Sequence, residues 1–313
     1  MALWRNRMIL AKAESTYGTS SAPTGTDAIR VGTDLNLAPL QMELVDRELL
    51  YGWIGNMPRA VVQRLAQISF SFELAGSGTA GTPPKPGVFL RAAGYSQTIV
   101  ATTSVTYAPI GTGYEGITIN CRHGGKQHLL TGVRGNVSFN GFTVNGLPML
   151  QFEGLGIYNT PSDQSDPTPT YDNQADAVVV NSDNTPTVSV GGFAACMESF
   201  TFGAGRSPIF RQLAGCSKQI RIDQERTPEG EIVIESPTIT AKNFFADAVA
   251  QTATEIEWVH GTTAGNIVTF NAPTCSLGDP TYGDSDGIEM LTLPFRPIPS
   301  LDDGYDDHTI VFT

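Results

Sequence analysis

The segment Gln67 to Leu74, which reads QISFSFEL, carries Ile68, Phe70 and Phe72 at every second position with polar residues between them. Because successive side chains of a β-strand point to opposite faces of a sheet, this alternation predicts a strand with one buried and one solvated face. The 33 glycines and 20 prolines among the 313 residues supply the turns that many short strands require. The chain is therefore predicted to be mainly β, with few helices.

Turn signals downstream divide further strands. Ile117 to Cys121 and His128 to Val133 flank His123-Gly124-Gly125-Lys126, which predicts a hairpin because glycine supplies the positive φ of a tight turn. Asn140-Gly141 and Asn145-Gly146 are interpreted as two more chain reversals.

Two short helices are expected. The first lies between Pro86 and Ala93, with Gly94 available to end it, and the second covers Ala241 to Ala250, with Thr240 as its N-cap.

The middle of the chain has the composition of a linker. Asn159 to Asp176 combines proline, serine, threonine and aspartate with almost no apolar residues, and 313 residues are about twice a usual domain of roughly 150. We therefore predict an N-terminal β domain over 1–158, a linker over 159–176 and a C-terminal β domain over 177–313.

The second half repeats the order of the first. Ile256 follows Ile117 by 139 residues (256 − 117 = 139) within similar hairpins, and Gly287 follows Gly146 by 141 (287 − 146 = 141) before similar strands. This order favours two β-sandwich or barrel domains related by duplication, each with a short flanking α-helix. The alternative is chance, because hairpins and short helices are common.

Charge is distributed unevenly. The net charge is −12; residues 1–158 carry 12 − 9 = +3 and residues 159–313 carry 7 − 22 = −15. A protein that grips nucleic acid is expected to present a basic stripe, so the acidic half argues against that class. No signal peptide and no run of about 20 apolar residues are recognised, which predicts a soluble protein made in the cytoplasm and no membrane partner.

Residues for catalysis or metal binding are not recognised. The four cysteines and four histidines lack zinc spacing, and nucleophile-elbow, metalloprotease and phosphate-loop motifs are missing from the sequence. We predict free cysteines and a protein that is not an enzyme and holds no cofactor or metal. Asp302-Asp303 and Asp306-Asp307 resemble a calcium-binding pair, but a solvated turn is the favoured interpretation.

Several phrases resemble the major tail tube proteins of long-tailed (siphovirus-like) bacteriophages, over nearly the whole chain. They are LAKAESTYG at 10–18, FELAGSGTAG at 72–81, VTYAP at 105–109, LTGVRG at 130–135, VHGTTAGNI at 259–267 and GDPTYGDSDGIEMLTL at 278–293. The resemblance implies a β-sandwich or closed-sheet domain whose neighbours extend the sheet around a ring, and rings that stack into a tube. With two such domains per chain, a trimer with pseudo-sixfold symmetry is expected, and a hexamer is the other arrangement.

The same resemblance implies location and partners. The protein is expected in the virion tail after assembly in the host cytoplasm, in contact with itself, the tape-measure protein and the tail terminator or distal tail proteins. Double-stranded DNA is expected to pass through the tube without specific binding.

Candidate contact residues concentrate in Met42 to Pro58, which is interpreted as an interaction loop that stabilises ring stacking. The alternative is that Tyr51 and Trp53 fold back on their own domain. The N-terminal stretch from Trp4 to Thr26 and the final strand Thr309 to Thr313 either lock a neighbouring subunit or pair within the chain. The candidate interface residues are Trp4, Leu49, Leu50, Tyr51, Trp53 and Ile54.

An acidic surface is the second candidate feature. An acidic channel would repel DNA phosphates, whereas basic walls would retain them. The candidates for a lumen or exterior acidic surface are Asp163, Asp166, Glu229, Asp302 and Asp303.

Two other classes stay open. The first is a two-domain β-sandwich that binds carbohydrate or decorates the virion, with Trp53 or Trp258 as its aromatic platform. The second is a β-rich hydrolase, for which the sequence selects no pair of carboxylates.

Overall fold

The computed structural model of the chain describes residues 6–223, 225–300 and 304–313. Up to residue 163 the elements are β1 (Arg7–Ala13), a 3₁₀ helix (Gly25–Asp27), β2 (Ala28–Ile29), β3 (Asn36–Asp46), β4 (Arg59–Glu73), α1 (Gly87–Ala92), β5 (Tyr95–Val100), β6 (Ser104–Pro109), β7 (Ile117–His123), β8 (Lys126–Thr143), β9 (Met149–Tyr158) and β10 (Ser162–Asp163).

The remaining elements begin at residue 187. They are β11 (Thr187–Val190), β12 (Phe193–Ala194), β13 (Met197–Gly203), β14 (Pro208–Arg211), β15 (Gln219–Ile222), β16 (Glu229–Glu235), α2 (Phe244–Ala250), β17 (Thr254–His260), β18 (Val268–Leu277), β19 (Thr281–Ser285), β20 (Ile288–Pro297) and β21 (Thr309–Phe312). The predicted mainly β fold is confirmed, and its architecture is consistent with a β-sandwich.

The alternating segment that opened the sequence analysis forms the end of β4. Ile68, Phe70 and Phe72 are buried, while Ser69 and Ser71 on the other face are half-buried. The predicted hairpin is also confirmed, because β7 and β8 pair in antiparallel fashion around Gly124 and Gly125.

The reversal predicted at Asn140-Gly141 is wrong. Strand β8 continues through these residues, and opposite them β13 pairs Phe202 with Phe139 and Phe200 with Phe142. One extra residue is thus accommodated as a β-bulge, and Gly141 adopts φ +97. The Asn-Gly pair therefore bends a continuous strand, and the chain reverses only at the next such pair, before β9.

Both predicted helices are present, with one correction. Gly94 follows α1 with φ +85. The second helix begins later than predicted, because Asn243 caps it: its side chain accepts a hydrogen bond from Ala246 N at 2.9 Å, and the predicted cap, Thr240, lies outside the helix.

The two halves of the chain have the same strand order. Antiparallel ladders join β3-β4-β9-β8-β7-β1 in the first half and β13-β16-β20-β18-β17-β11 in the second, and a helix follows the second member of each series. We call these series the first set and the second set. That the sets arose by duplication stays a prediction.

Hydrogen bonds join the two sets within the chain. The last residues of β8 pair with β13, and β6 pairs with β21. The core is continuous across this junction, since Phe139 and Phe142 of β8 pack against Trp258 of β17. The division into domains at 1–158 and 177–313 stays a prediction, but ladders and side-chain packing cross it.

The termini and the linker pack on their own chain. Strand β1 pairs with β2 and β7, and β21 pairs with β6 on one edge and β18 on the other, so the predicted edge strand at the C-terminus lies inside the sheet. In the linker, Asp176 forms an ion pair with Arg30 at 2.5 Å. The intramolecular alternative therefore describes both Arg7–Ala13 and Thr309–Phe312.

Candidate assembly surfaces

A long hairpin projects from one edge of the sheet. It consists of the distal parts of β3 and β4 and the tip formed by residues 47–58. Every residue from Gln41 to Gly55 is exposed, and two aromatic rings within the tip contact each other. The predicted interaction loop, Met42 to Pro58, is thus partly wrong in its conformation, because residues up to Asp46 belong to β3. No side chain in this part of β3 is buried, so the sequence there lacks the alternation that marks a half-buried strand.

The tip carries five of the predicted interface residues. Leu50 and Ile54 are fully exposed, at 103% and 106% of their reference areas. Tyr51 and Trp53 contact each other, with ring centroids 5.1 Å apart, and both stay exposed. Leu49 is exposed as well, whereas Trp4 lies outside the described residues.

Apolar side chains continue from the tip along both strands of the hairpin. Monomeric proteins rarely leave a large contiguous apolar patch in water, so this surface is a candidate for contact with another molecule. The exposed apolar residues of the two strands are Leu40, Met42, Leu44, Val45, Val61 and Val62.

The face of the sheet opposite the aromatic core is polar. Residues that are paired on neighbouring strands point to the same face. One such row runs across five strands in the order Ser71, Gln151, Ser138, Gly203 and Glu229. The residues of this polar face are Ser69, Ser71, Asn136, Ser138, Gln151, Glu153, Thr201, Glu229, Glu231, Glu235 and Thr292, all half-buried or exposed.

The charged residues named for the polar face are acidic, and Arg296 of β20 is a basic residue on the same side. Of the predicted acidic residues Glu229 belongs to it and lies 3.6 Å from Arg296, while Glu153, Glu231 and Glu235 were not predicted as a group. The signal that finds them is alternation: in EIVIE at 231–235, each glutamate follows or precedes a buried isoleucine. Sequence reasoning located the strand but not which strands stand beside it.

The other acidic candidates lie elsewhere. Asp163 and Asp166 are exposed beside the β7–β8 turn, where β10 pairs with the first residues of β8. Asp302 and Asp303 lie outside the described residues.

The strand series that carries the polar face has a free edge at each end. Within the described residues, β3 pairs with β4 alone and β19 pairs with β20 alone. Such edges are templates for pairing with another chain.

A buried ionic cluster was missed by the sequence analysis. The carboxylate of Asp307 accepts hydrogen bonds from both terminal nitrogens of Arg226, one at 2.7 Å, and from His308 Nδ1 at 2.8 Å, while Tyr95 OH and His308 Nε2 are 2.7 Å apart. Asp307 and His308 are fully buried, so the solvated turn predicted for Asp306-Asp307 is wrong for its second residue. The cluster fastens the segment before β21 to the loop before β16.

The cluster shifts two pKa values downward. Burial alone raises the pKa of Asp307, but the hydrogen bonds from His308 and Arg226 outweigh it and hold that pKa below its usual value. Burial lowers the pKa of His308 in spite of the opposing Asp307 carboxylate. The imidazole is therefore neutral at pH 7, with Nδ1 donating to Asp307 and Nε2 accepting from Tyr95.

We expect the free energy of unfolding of the monomer to fall as the pH is lowered from 7. Because the folded-state pKa values of His308 and Asp307 lie below the unfolded values of about 6.5 and 3.9, the unfolded chain binds more protons. The loss begins below about pH 6.5 and steepens below about pH 3.9. Urea titrations at pH 8, 5 and 3 measure it, and a His308→Gln variant should lose less between pH 8 and 5; an equal loss in the variant would contradict the assignment.

Cysteines and aromatic residues qualify two other expectations. Cys121 and Cys275 are buried, whereas Cys196 and Cys216 are exposed, so the thiols are free but not uniformly buried. Trp258 is completely buried among phenylalanine rings and cannot stack on a sugar, which removes it as a carbohydrate platform.

Among the described residues there is no group of His, Cys, Asp or Glu placed to hold a metal ion, nor a helix long and apolar enough to cross a membrane.

Comparison with known proteins identifies a family for the chain. The phage tail tube protein family matches residues 4–297, which is nearly the whole chain, and no curated protein is found to be similar. A match of this extent covers both sets of strands, the projecting hairpin and the polar face together. The chain therefore belongs to the phage tail tube proteins, structural components of the virion tail.

Proposed function

We propose that copies of this chain assemble into rings, that the rings stack into a hollow tube, and that the tube conducts phage DNA without catalysis. The observation that carries the proposal is one continuous sheet with a polar, acidic face and a free edge at each end. A sheet of this kind can be extended by copies of itself, and closing it removes its edges.

The polar face is assigned to the channel wall. Glu153, Glu231 and Glu235 would place negative charge along the bore, and serine, threonine and amide side chains would fill the space between them. Duplex DNA carries about one negative charge per 1.7 Å, so such a wall repels the backbone rather than binding it. Glu229 joins this wall, whereas Asp163 and Asp166 are assigned to the exterior.

The number of chains in a ring is inferred from the two sets of strands. If each set occupies one of six similar places, three chains complete a ring with pseudo-sixfold symmetry, and six chains are the alternative arrangement. Electron microscopy of purified tubes tests the proposal as a whole: rings with a central channel are expected, and a protein that stays monomeric under all conditions would contradict it.

Partners and location complete the proposal. Before DNA enters, the tube would enclose the tape-measure protein, and its ends would meet the tail terminator and distal tail proteins. Assembly would take place in the host cytoplasm, with no membrane involved.

Charged residues at the hairpin tip are expected to prevent stacking. We predict that the double variant Leu50→Asp, Ile54→Asp folds normally, because both side chains are fully exposed, but loses tubes while keeping single rings. Each apolar side chain removed from a buried contact costs on the order of 1.5 to 3 kcal/mol, and many identical contacts act together in a tube. Electron microscopy and sedimentation velocity measure the change.

The matched control for the tip variant is Val249→Asp, which introduces the same charge at a residue of α2 that is 89% exposed. This control should form tubes. Tubes of normal length from the tip variant would show that residues 47–58 do not stack rings.

A further inference from the structure

The junction between the two sets has a definite packing arrangement. Phe139, near the C-terminal end of β8, lies among aromatic rings of the second set, with distances between ring centroids of 5.7 to 6.0 Å. Its backbone pairs with Phe202 of β13, and its side chain is almost fully buried. The rings around Phe139 belong to Phe200, Phe202, Trp258 and Phe270.

Matching ladders identify the same positions in the first set. The row Leu37, Ile68, Gly154 and Gly135 corresponds to Phe202, Gly230, Phe295 and Leu277. Each row crosses the same four strands, and its last residues are 142 positions apart (277 − 135 = 142), the same shift that separates His128 from Phe270 in the hairpins (270 − 128 = 142). Leu37 is therefore the counterpart of Phe202, and two positions earlier Leu35 is the counterpart of Phe200.

The β7–β8 hairpin supplies the other two counterparts. Its ladder is interrupted between Ile117 and Ile119, and the β17–β18 ladder is interrupted in the same way between Thr254 and Ile256. Counting from this irregularity, the opposed pair Trp258 and Phe270 corresponds to the opposed pair Cys121 and His128. Trp258 of β17 therefore follows its counterpart Cys121 of β7 by 137 residues (258 − 121 = 137), whereas the sequence comparison aligned these hairpins with an offset of 139 residues.

All four counterparts line one cavity. Its volume is about 190 Å³, and it is bordered by Leu35, Leu37, Cys121 and His128 together with residues of β1, β3 and β7. A cavity of about 150 Å³ holds a benzene molecule, so this one is large enough for an aromatic ring. In the second set the corresponding space is filled by Phe139.

The counterpart of Phe139 is Tyr282. Phe139 pairs with Leu150 of β9; in the second set the equivalent residue of β20 is Leu291, and Leu291 pairs with Tyr282 of β19. Tyr282 lies on a strand whose other edge is free among the described residues, and it is 56% exposed. Each chain thus presents an aromatic residue at one end of its sheet and a matching cavity at the other.

We propose that Tyr282 of one copy inserts into the cavity beside Leu35 and Leu37 of a second copy, while β19 pairs with β3. The register follows from the junction within the chain: Ser138 opposite Gly203 and Phe139 opposite Phe202 become Thr281 opposite Ala38 and Tyr282 opposite Leu37. The inference rests on the proposed self-assembly and specifies the contact that closes the ring.

The polar lining of the cavity fits a phenol better than a phenyl ring. Nδ1 of His128 and both Nε and Nη1 of Arg122 are buried without a hydrogen-bond partner among the described residues, and both side chains border the cavity. Buried polar atoms in native proteins are nearly always hydrogen-bonded, so these atoms favour an incoming hydroxyl group. Cys121 contributes an apolar wall.

The contact is head-to-tail, because the aromatic residue and the cavity lie at different ends of the chain. A heterologous contact of this kind generates a closed ring when its rotation closes. Every junction in the ring, within or between chains, would then join the sheets in the same register.

An engineered disulfide tests the register. In a background with Cys196→Ser and Cys216→Ser, Ala38→Cys and Thr281→Cys are combined; directly opposed strand residues have Cα atoms about 4.5 to 5.5 Å apart, within the range that a disulfide spans. Mild oxidation is expected to give a ladder of covalent oligomers that collapses on reduction. The shifted pair Glu43→Cys with Thr281→Cys is the control, since five strand residues separate position 43 from position 38 by about 17 Å.

Removal of the aromatic ring tests the insertion. Tyr282→Ala should raise the protein concentration needed for ring formation by at least about tenfold, as expected for a buried aromatic anchor, while Tyr282→Phe should have a smaller effect. Tyr171→Ala is the matched control, because Tyr171 is also an exposed tyrosine. Circular dichroism and urea unfolding of the monomers exclude a folding defect.

The outcomes separate the two proposals. Rings that form normally from Tyr282→Ala, with no covalent ladder from positions 38 and 281, would overturn this contact but leave the tube intact. Wild-type protein that forms no rings, together with a 38/281 cysteine variant that gives no ladder, would overturn both. A ladder from the shifted pair at the same yield would also contradict the register.

Discussion

Replacing Asp307 by alanine is expected to lower the free energy of unfolding of the monomer by about 3 to 5 kcal/mol. The carboxylate is fully buried and accepts hydrogen bonds from Arg226 and His308. Its removal leaves the guanidinium of Arg226, which is nearly buried, without its counter-charge. An unpaired buried charge costs far more than the small net contribution of an intact pair, and this difference gives the expected magnitude.

The location of the cluster adds a structural consequence. His308 and Asp307 immediately precede β21, which joins β18 to β6 and so connects the second set to a hairpin of the first half. Loosening this segment should therefore expose backbone along both ladders. Hydrogen exchange of Val311 and Thr106, which face each other across one of them, should increase in the variant more than exchange in β4.

Two variants give the Asp307 prediction its controls. Asp183→Ala removes an exposed carboxylate and should change stability by no more than about 0.5 kcal/mol. The pair Asp307→Leu with Arg226→Met replaces both charges by apolar groups and should recover the part of the loss that comes from the unpaired guanidinium, while Nδ1 of His308 stays without its acceptor. A loss below about 1 kcal/mol for Asp307→Ala in urea titrations would show that the cluster does not hold this segment.

Local patterns in the sequence predicted the elements well where burial alternates. The strand around Phe70, the hairpin at Gly124-Gly125 and the helix ending before Gly94 each have a signal contained within a few residues. Such signals depend on backbone conformation and on one buried face, and both are encoded locally. The apolar residues of the hairpin tip were selected because they lie next to charged residues, and their role as an interface stays a prediction.

Features that depend on pairing between distant strands were not predictable. Asn140-Gly141 has the composition of a turn, and only the neighbouring β13 makes it a bulge. The acidic polar face combines Glu153 with Glu231 across four strands. Asp307 binds Arg226, which lies 81 positions earlier in the chain. Register fixes these combinations, and a shift of one residue would move every side chain to the opposite face.

Reversing the charge of the polar face is expected to block DNA passage without preventing assembly. In the triple variant Glu153→Lys, Glu231→Lys and Glu235→Lys, the net charge of the chain changes by six, from −12 to −6 (−12 + 6 = −6). Exposed strand residues that face away from the core tolerate such changes, so tubes of normal diameter should form. The expected result is filled virions that release DNA incompletely when triggered, with infectivity reduced at least about a hundredfold. The reason is that lysines on the wall would bind phosphates: proteins that make 6–10 phosphate contacts bind about 10³ to 10⁵ times more strongly at low than at moderate salt.

The salt dependence and a displaced control decide whether this effect arises in the channel. Lysine contacts to phosphate release counterions, so raising the salt concentration should restore DNA release from the triple variant and leave wild-type release nearly unchanged. Reversing Asp163, Asp166 and Asp183 to lysine changes the net charge equally but places the lysines off the polar face. If that control blocks release and the triple variant does not, the channel wall lies on another surface. If only the triple variant retains DNA, then the strand rows that pair Glu153 with Asn136 and Glu231 with Thr201 line the path of the genome, and strand register is what brings these distant glutamates to one face.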